Sequence, residues 1–108
     1  MKHVFLSAPY AHNAANVVFA IDMAEKIQTE IPDVVVFVPH LYHFWAFLYP
    51  DHDEKFWLGM CLKWLSKCDA LYRMPGISAG ANMEEAEARE LGIPIFYDMD
   101  KLIEWSEK

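Results

Sequence analysis

Short apolar runs alternate along this chain with segments whose apolar residues recur every three to four positions. The apolar runs predict strands at residues 3–7, 34–38, 69–73 and 93–97. The periodic segments predict helices that begin near Asn13 or Asn16, at Asp53, near Ser78 or Gly80, and at Asp98 or Asp100. Strands that alternate with amphipathic helices form a parallel sheet with helices on both faces. We therefore predict an α/β fold of three layers, with four parallel strands in the order 2-1-3-4.

Individual segments carry finer predictions. Residues 34–38 are five consecutive β-formers without alternation, which is typical of a strand buried on both faces. Two apolar stripes are expected to face the core, one in the first helix and one in the helix after Asp53: Val17, Ile21, Ala24 and Ile31, and Trp57, Met60, Cys61, Trp64 and Cys68. Residues 39–52 are rich in aromatic and histidine side chains, and a helical turn is expected around residues 42–47.

Composition limits the class of protein. At 108 residues, of which 55% are hydrophobic, the chain is expected to form one domain over residues 1–108. The net charge of −7 disfavours nucleic-acid polymers and anionic membranes as partners. No apolar stretch has transmembrane length, and the first residues do not form a signal peptide, so we expect a cytoplasmic protein. Cys61 and Cys68 lie too far apart on a helix to form a disulfide.

Two loops at the carboxyl ends of predicted strands are candidates for a binding site, because ligands of such sheets bind where the strand order reverses. In the order 2-1-3-4, residues 7–10 and 75–80 are neighbours at that point. Gly76 and Gly80 allow backbone amides to approach a ligand, and Ser78 adds a hydroxyl. The amides of Ala81 and Asn82 lie at the helix start, which favours anions. The alternative is that Ser78 or Gly80 only caps the helix.

Glu84 lies one turn inside that helix. Ala81, Glu84, Ala88 and Leu91 share one face, whereas Glu85, Glu87 and Glu90 lie off it and are expected to be solvated. Glu84 is the single charge on the face predicted to pack inward, and a carboxylate there is costly unless something uses or satisfies it. The functional interpretation is a nucleophile or base. The alternative is a surface glutamate, since Met83 and Ala86 form a rival apolar edge.

The histidines of residues 39–52 raise the question of a metal. Only His40 and His43 are close in sequence, so a loop that covers the site is favoured over zinc, and no metal is predicted. Tyr10 follows the first strand directly and is expected to contact the ligand or to cap the edge of the sheet. Asp69 opens a strand at the amino end, far from the site, and is interpreted as structural.

Several of these segments together carry a family resemblance. They are Phe5-Leu6-Ser7-Ala8-Pro9-Tyr10, Cys68-Asp69-Ala70-Leu71, Ser78-x-Gly80-x-x-x-Glu84 with Ala88, and Gly92-Ile93-Pro94. With them the chain resembles the nucleoside 2-deoxyribosyltransferase superfamily, including the deoxynucleoside 5′-monophosphate N-glycosidases. The likeness is strongest to a small branch, often phage or bacterial, that has a Pro-His-Leu-Tyr segment like residues 39–42.

The resemblance implies a flavodoxin-like fold and a reaction at the N-glycosidic bond of a nucleoside or nucleotide. Glu84 matches the glutamate that attacks the anomeric carbon, in the manner of a retaining glycosidase. Ser78 and Gly80 match positions that hold a 5′-phosphate, and Ser7, Pro9 and Tyr10 fall in the loop that lines sugar and base. No cofactor is implied. Relatives form homo-oligomers that share sites, and the aromatic residues at positions 45, 47 and 49 suit such an interface.

One departure from the family bears on the chemistry. Active members carry an aspartate eight residues before Asp69, and this chain has Cys61 there. A thiol does not replace a carboxyl group as a proton donor at neutral pH. Either His40, His43 or Asp53 takes that role, or catalysis is weak, or the protein only binds nucleotides. The chain is also short for the family, without a fifth strand. A third alternative is a subunit whose aromatic loop serves only assembly.

Overall fold

The structure is a computed structural model that describes all residues, 1–108. Its strands are β1 (Lys2–Ser7), β2 (Val34–Phe37), β3 (Ala70–Arg73) and β4 (Ile95–Phe96). Its α-helices are α1 (Ala14–Glu30), α2 (His43–Leu48), α3 (Glu54–Leu65), α4 (Ala79–Glu90) and α5 (Met99–Ser106). A 3₁₀ turn, Pro39–Tyr42, leads into α2, so the aromatic segment contains the predicted helical turn.

The sheet has four parallel strands in the order β2-β1-β3-β4, which confirms the predicted fold class. One face of the sheet packs against α1 and α5 through a core that includes Leu6, Ile27 and Leu102. The other face packs against α3 and α4 through Phe5, Leu65 and other apolar side chains. Because β1 has neighbours on both sides and is covered on both faces, its last residues lie at the centre of the molecule.

Short polar side chains start four of the helices. Asn13, Asp53, Ser78 and Asp98 each accept hydrogen bonds from backbone amides of the first turn. These bonds satisfy amide groups that have no carbonyl partner inside the helix. Where the sequence left two candidates, the structure therefore selects Asn13 over Asn16, Ser78 over Gly80, and Asp98 over Asp100.

Several packing predictions were wrong. The second strand is not buried on both faces, because β2 forms the edge of the sheet, where Val35 is 39% exposed. Ile21 and Leu91 are exposed, since α1 turns Ala20 and Ile27 to the core and α4 ends at Leu91. Trp64 is also exposed and stacks on Phe37. None of the helices combines the length and the apolar composition that a membrane span requires.

Candidate functional site

The candidate site lies where β1 and β3 end side by side. Ser7 and Arg73 are register partners at the last position of the two strands, and the amide of Met74 donates to the carbonyl of Ser7 over 2.9 Å. The chain then leaves β1 toward β2 on one side and leaves β3 toward β4 on the other. This is the reversal point at which sheets of this kind leave a crevice.

A cavity of about 570 Å³ opens at this point. Its walls come from the loop after β1, the 3₁₀ turn with the start of α2, the first two turns of α3, and the first two turns of α4. The aromatic residues Tyr10, Tyr42 and Trp57 are part of the lining. Such a volume is of the size that takes up small organic molecules.

Glu84 lines this cavity but is only 8% exposed. Ser7 Oγ, which is fully buried, donates a hydrogen bond of 2.7 Å to Glu84 Oε1. Burial raises the pKa of Glu84 to about 7, although the Ser7 hydrogen bond and the positive charge of Arg73 both act to lower it. The carboxyl group is thus poised to change protonation near neutral pH, while its position is fixed.

Arg73 is the functional candidate that the sequence reading missed. It is 8% exposed, and its Nη2 donates to the Gly76 carbonyl (3.0 Å) and to Asn82 Oδ1 (3.1 Å). Its Nε lies 3.4 Å from Glu85 Oε1, and its Nη1 is buried without a partner. Arg73 therefore holds the turn that precedes α4 and brings positive charge near Glu84. An arginine at the end of an apolar strand was the available signal.

Glu85, expected to be solvated, belongs to a separate cluster. It accepts hydrogen bonds from Arg89 Nη2 (2.5 Å) and Tyr97 Oη (2.9 Å) and pairs with Arg73. Burial opposes its charge, but these hydrogen bonds and the two arginine charges outweigh burial and lower the pKa of Glu85. The cluster ties α4 to the residue after β4.

Cys61 lines the same cavity as Glu84. Burial, together with the negative charge of Glu84, raises the pKa of the Cys61 thiol to about 12. Cys61 consequently stays a neutral thiol at physiological pH. Both Cys61 and Cys68 are free, and Cys68 lies beyond the end of α3 rather than on the same helix as Cys61.

Tyr10 and two histidines form a second polar group in the cavity wall. Tyr10 Oη and His43 Nδ1 lie 2.7 Å apart, and the Tyr10 ring meets the rings of His40 and His43 edge to face. Burial raises the pKa of Tyr10, so its hydroxyl keeps the proton. His40 Nε2 lies 2.9 Å from the Pro9 carbonyl, and its Nδ1 is buried without a partner. Burial lowers the pKa of His40, which therefore favours the neutral ring that donates to Pro9.

The structure brings most of the predicted site residues to one place. Six of the nine predicted binding residues line the cavity with Glu84: Pro9, Tyr10, His40, Ser78, Gly80 and Ala81. Ser7 lies behind Glu84 rather than in the cavity wall. Gly76 and Asn82 do not line the cavity, and both instead accept a hydrogen bond from Arg73.

Two features of the turn before α4 have structural causes. Ser78 Oγ accepts from the Ala81 amide over 3.1 Å, so the capping role that the sequence left open is present. Gly76 has φ of +122°, and a Cβ there would lie 2.8 Å from Pro9 Cγ, so glycine is required for the two loops to touch. No group of three His, Cys, Asp or Glu side chains is arranged to hold a metal ion.

Comparison with known proteins identifies a family and a fold. A family model described as "Domain of unknown function (DUF7768)" matches residues 2–98. No curated protein matches the chain. Among solved structures, a conserved protein from Enterococcus faecalis V583 matches with a TM-score of 0.69 and 18% identity, over 88% of this chain and 61% of that one.

Two enzymes of known class share the fold. A 2-desoxiribosyltransferase from Leishmania mexicana has a TM-score of 0.63 and 17% identity, over 88% of this chain and 62% of that one. A 2-deoxyribosyltransferase from Bacillus psychrosaccharolyticus has the same TM-score and identity, over 87% of this chain and 69% of that one. The chain thus spans about three fifths of the length of the first two of these structures, and the likeness at this identity concerns the fold.

Proposed function

The chain belongs to the DUF7768 family, and we propose that it cleaves or transfers at the N-glycosidic bond of a nucleoside or nucleoside 5′-monophosphate. The observation that carries the proposal is Glu84, a buried carboxylate that lines a ligand-sized cavity and accepts a hydrogen bond from Ser7. The shared fold with two 2-deoxyribosyltransferases supports the same reaction class. So does the sequence resemblance carried by the Ser78, Gly80 and Glu84 motif.

Glu84 would act as the nucleophile. One carboxylate oxygen attacks the anomeric carbon, the carbon–nitrogen bond breaks, and the bonding electrons leave with the base. The resulting sugar ester of Glu84 is then resolved by water, or by a second base in a transfer reaction. Ser7 donates a hydrogen bond to the other carboxyl oxygen, Oε1. This bond fixes the orientation of the carboxyl group relative to the sugar.

The rest of the cavity is suited to hold the substrate. The turn of Ser78, Gly80 and Ala81 offers a helix start to sugar hydroxyls or a 5′-phosphate, and Pro9 and Tyr10 form the opposite edge. Aromatic rings such as Trp57 offer flat apolar surface to a nucleobase. The proposed chemistry requires no cofactor or metal.

A non-catalytic nucleotide-binding or sensing module is the second candidate, and Cys61 is the observation that favours it. The resemblance leads us to expect an aspartate at that position. A thiol whose pKa is about 12 supplies no proton to a departing base. If no other group supplies the proton, the cavity binds a nucleotide without cleaving it.

We further propose that residues 1–108 act as a single domain and that the protein forms a homodimer or higher homo-oligomer. The second proposal is supported by large apolar side chains that lie exposed on and beside α2, including Phe44 (68%), Phe47 (72%) and Tyr49 (61%). Two free cysteines suit a reducing compartment such as the cytoplasm.

The direct test is base release. The protein is incubated with ribonucleosides, deoxynucleosides and their 5′-monophosphates, and free base is separated by chromatography. We expect release from at least one of them, and a loss of at least about 1,000-fold in Glu84→Gln. Glu90→Gln is the matched control, because Glu90 lies exposed on the same helix. It should release base like the wild type.

Binding without cleavage is distinguished in the same samples. A nucleotide that raises the melting temperature while no base is released supports the binding module. Absence of both release and a thermal shift contradicts both candidates. In an enzyme that releases base slowly, Cys61→Asp should raise the rate, since it places a carboxyl group where the resemblance expects one.

A further inference from the structure

The cavity needs a proton source for the departing base, and the position expected to supply it holds a thiol. Besides Glu84, Tyr10 and His43, the titratable side chains that line the cavity are His12, His40, Tyr42, Glu54, Lys55 and Cys61. Protonation of the leaving nitrogen in the transition state typically contributes a factor of about 100 to 10,000. The donor must therefore be sought in this set or in the Tyr10–His43 pair.

Three members of the set are unsuited by their contacts. His40 has no free nitrogen, since Nε2 is engaged by the Pro9 carbonyl and Nδ1 is buried. Tyr42 Oη accepts the indole N–H of Trp64, on the outer side of α3. Cys61 holds its proton too tightly, because burial raises the pKa of its thiol to about 12.

The remaining three have no partner that would fix them. Glu54 and Lys55 lie exposed in the first turn of α3, and neither forms a hydrogen bond or ion pair through its side chain. His12 is exposed and contacts Tyr10 only through its ring, at 4.9 Å between centroids. A group that must deliver a proton to one atom has to be held at a fixed place.

The Tyr10–His43 pair meets both requirements. It is partly buried, it lines the cavity, and its 2.7 Å hydrogen bond fixes the imidazole ring. A phenolic hydroxyl both donates and accepts, so the bond persists whether Nδ1 carries a proton or not. In either state the bond leaves Nε2 as the nitrogen available to a ligand.

We propose that His43 is the general acid of the reaction and that Tyr10 positions it, an inference that rests on the proposed function. As the carbon–nitrogen bond breaks, the protonated imidazole transfers its Nε2 proton to the departing base. The ring becomes neutral and keeps its proton on Nδ1, which donates a hydrogen bond to the Tyr10 oxygen. When water attacks the sugar ester of Glu84, the neutral His43 takes up a proton from that water at Nε2. The protonated imidazole and the free carboxylate of Glu84 are then restored.

The loop after β1 thereby serves both reacting groups. Ser7 at its start binds the nucleophile, and Tyr10 three residues later binds the acid. The carbonyl of Pro9, between them, is held by His40. Residues 7–10 would thus set the distance between the two halves of the catalytic apparatus.

The test compares two leaving groups. A purine nucleoside, or its monophosphate, is paired with the same compound methylated at N7, whose positively charged base departs without protonation. His43→Gln should lower release of the unmethylated base at least about 100-fold and release of the methylated base less than about threefold. Tyr10→Phe keeps the ring and should give the same selectivity with a loss of about 10-fold. His52→Gln, at an exposed histidine outside the cavity, is the control.

The outcomes separate this inference from the proposed function. Equal losses on both substrates in the His43 and Tyr10 variants, or no loss on the unmethylated one, overturn the role of His43. Wild-type protein that cleaves only the methylated substrate overturns it too, while the role of Glu84 stands. If wild-type protein cleaves neither substrate, the proposed function is overturned, and the role of His43 with it. Should His43→Gln not fold, the Tyr10→Phe result decides.

Discussion

The two faces of α4 carry neighbouring glutamates with opposite properties. Glu84 faces the cavity, and burial raises its pKa to about 7. Glu85 faces away from the cavity, and hydrogen bonds and charges from Tyr97, Arg89 and Arg73 lower its pKa despite a contribution from burial in the other direction. Two consecutive residues of one helix therefore differ in charge preference: burial makes Glu84 costly to ionise, whereas the partners of Glu85 stabilise it as an anion.

The comparison shows how the protein uses its buried arginine. Arg73 forms its ion pair with Glu85 and donates hydrogen bonds to the Gly76 carbonyl and to Asn82, and only its charge acts on Glu84. A direct ion pair with Glu84 would have stabilised the carboxylate and so lowered its reactivity as a nucleophile. The arrangement leaves Glu84 with one neutral hydrogen-bond donor, Ser7. Its buried environment disfavours the negative charge, which is lost when the carboxylate forms the sugar ester.

The largest effect on stability is expected from removal of the arginine that both faces share. Arg73→Met should destabilise the protein by about 4 kcal/mol, because it breaks the largely buried ion pair with Glu85 and removes two hydrogen bonds, to the Gly76 carbonyl and to Asn82. It should also raise the pKa of Glu84. Denaturant unfolding measures the first change and a carboxyl NMR titration the second.

Arg89→Met is the control for that experiment, since Arg89 pairs with the same Glu85 but lies at the surface. It should change stability far less and leave the titration of Glu84 where it was. A fall in the pKa of Glu84 in Arg73→Met would show that the influence of Arg73 on the cavity has been assigned the wrong sign.

The pH dependence of stability should be the next largest effect. Between the ordinary pKa of 4.5 and the folded pKa of about 7, the unfolded chain loses its Glu84 proton and the folded protein keeps it. The contribution of Glu84 to stability is therefore greatest below pH 4.5 and declines as pH rises to about 7. The total decline is about 3 kcal/mol.

Glu84→Gln removes this dependence, because an amide does not ionise. Unfolding curves at pH 5 and pH 8 should show that the free energy of unfolding of the variant rises relative to that of the wild type as pH rises. Parallel pH profiles of the two proteins would mean that Glu84 is ionised in the folded state at both values, with no elevation of its pKa.

Ser7→Ala is expected to cost somewhat less, and to cost more at higher pH. At pH 8 it removes a hydrogen bond to a carboxylate, worth about 2 kcal/mol. At pH 5 the carboxyl group is protonated and the loss should be smaller. The apparent pKa of Glu84, measured by titration or by the rise of activity with pH, should move upward. An unchanged value would contradict the role of this hydrogen bond.

The smallest effect belongs to Glu85→Gln on the outer face. Its lowered pKa stabilises the fold above pH 4.5, and this contribution is lost as pH falls through the folded value. We expect a loss below about 1 kcal/mol at pH 7, because pairs near the surface are screened by water. Wild type and variant should converge in acid, and base release should not change. A large loss of base release in Glu85→Gln would contradict the assignment of Glu85 to stability alone.

Much of the fold could be predicted from local patterns. The strand–helix alternation predicted a parallel sheet with helices on both faces, and the structure confirms it together with the expected order 2-1-3-4. The periodicity of α4 also predicted that Glu84 faces inward. The same reasoning failed at β2 and Trp64, because burial of an apolar side chain depends on what lies across from it, and an edge strand lacks a neighbour on one side.

Part of the candidate site was equally local. The loops of residues 7–10 and 75–80 were expected together, and the structure places Gly76 against Pro9. Arg73 and Glu85 could not be assigned in this way. Each looks like an ordinary charged residue in the sequence, and their pairing requires the end of β3, the first turns of α4 and the residue after β4 to be in place at once.

The sequence by itself determined the order of elements and the presence of one inward-facing carboxyl group, because these depend on spacing and on side chains within a few residues. Tertiary structure alone decided which partners the ionisable groups have: Ser7 for Glu84, Arg73 for Glu85, and Tyr10 for His43. These partners lie far apart in the chain or on different elements. Since a pKa depends on burial and on charges within a few ångströms, the chemistry of the site follows from the folded arrangement.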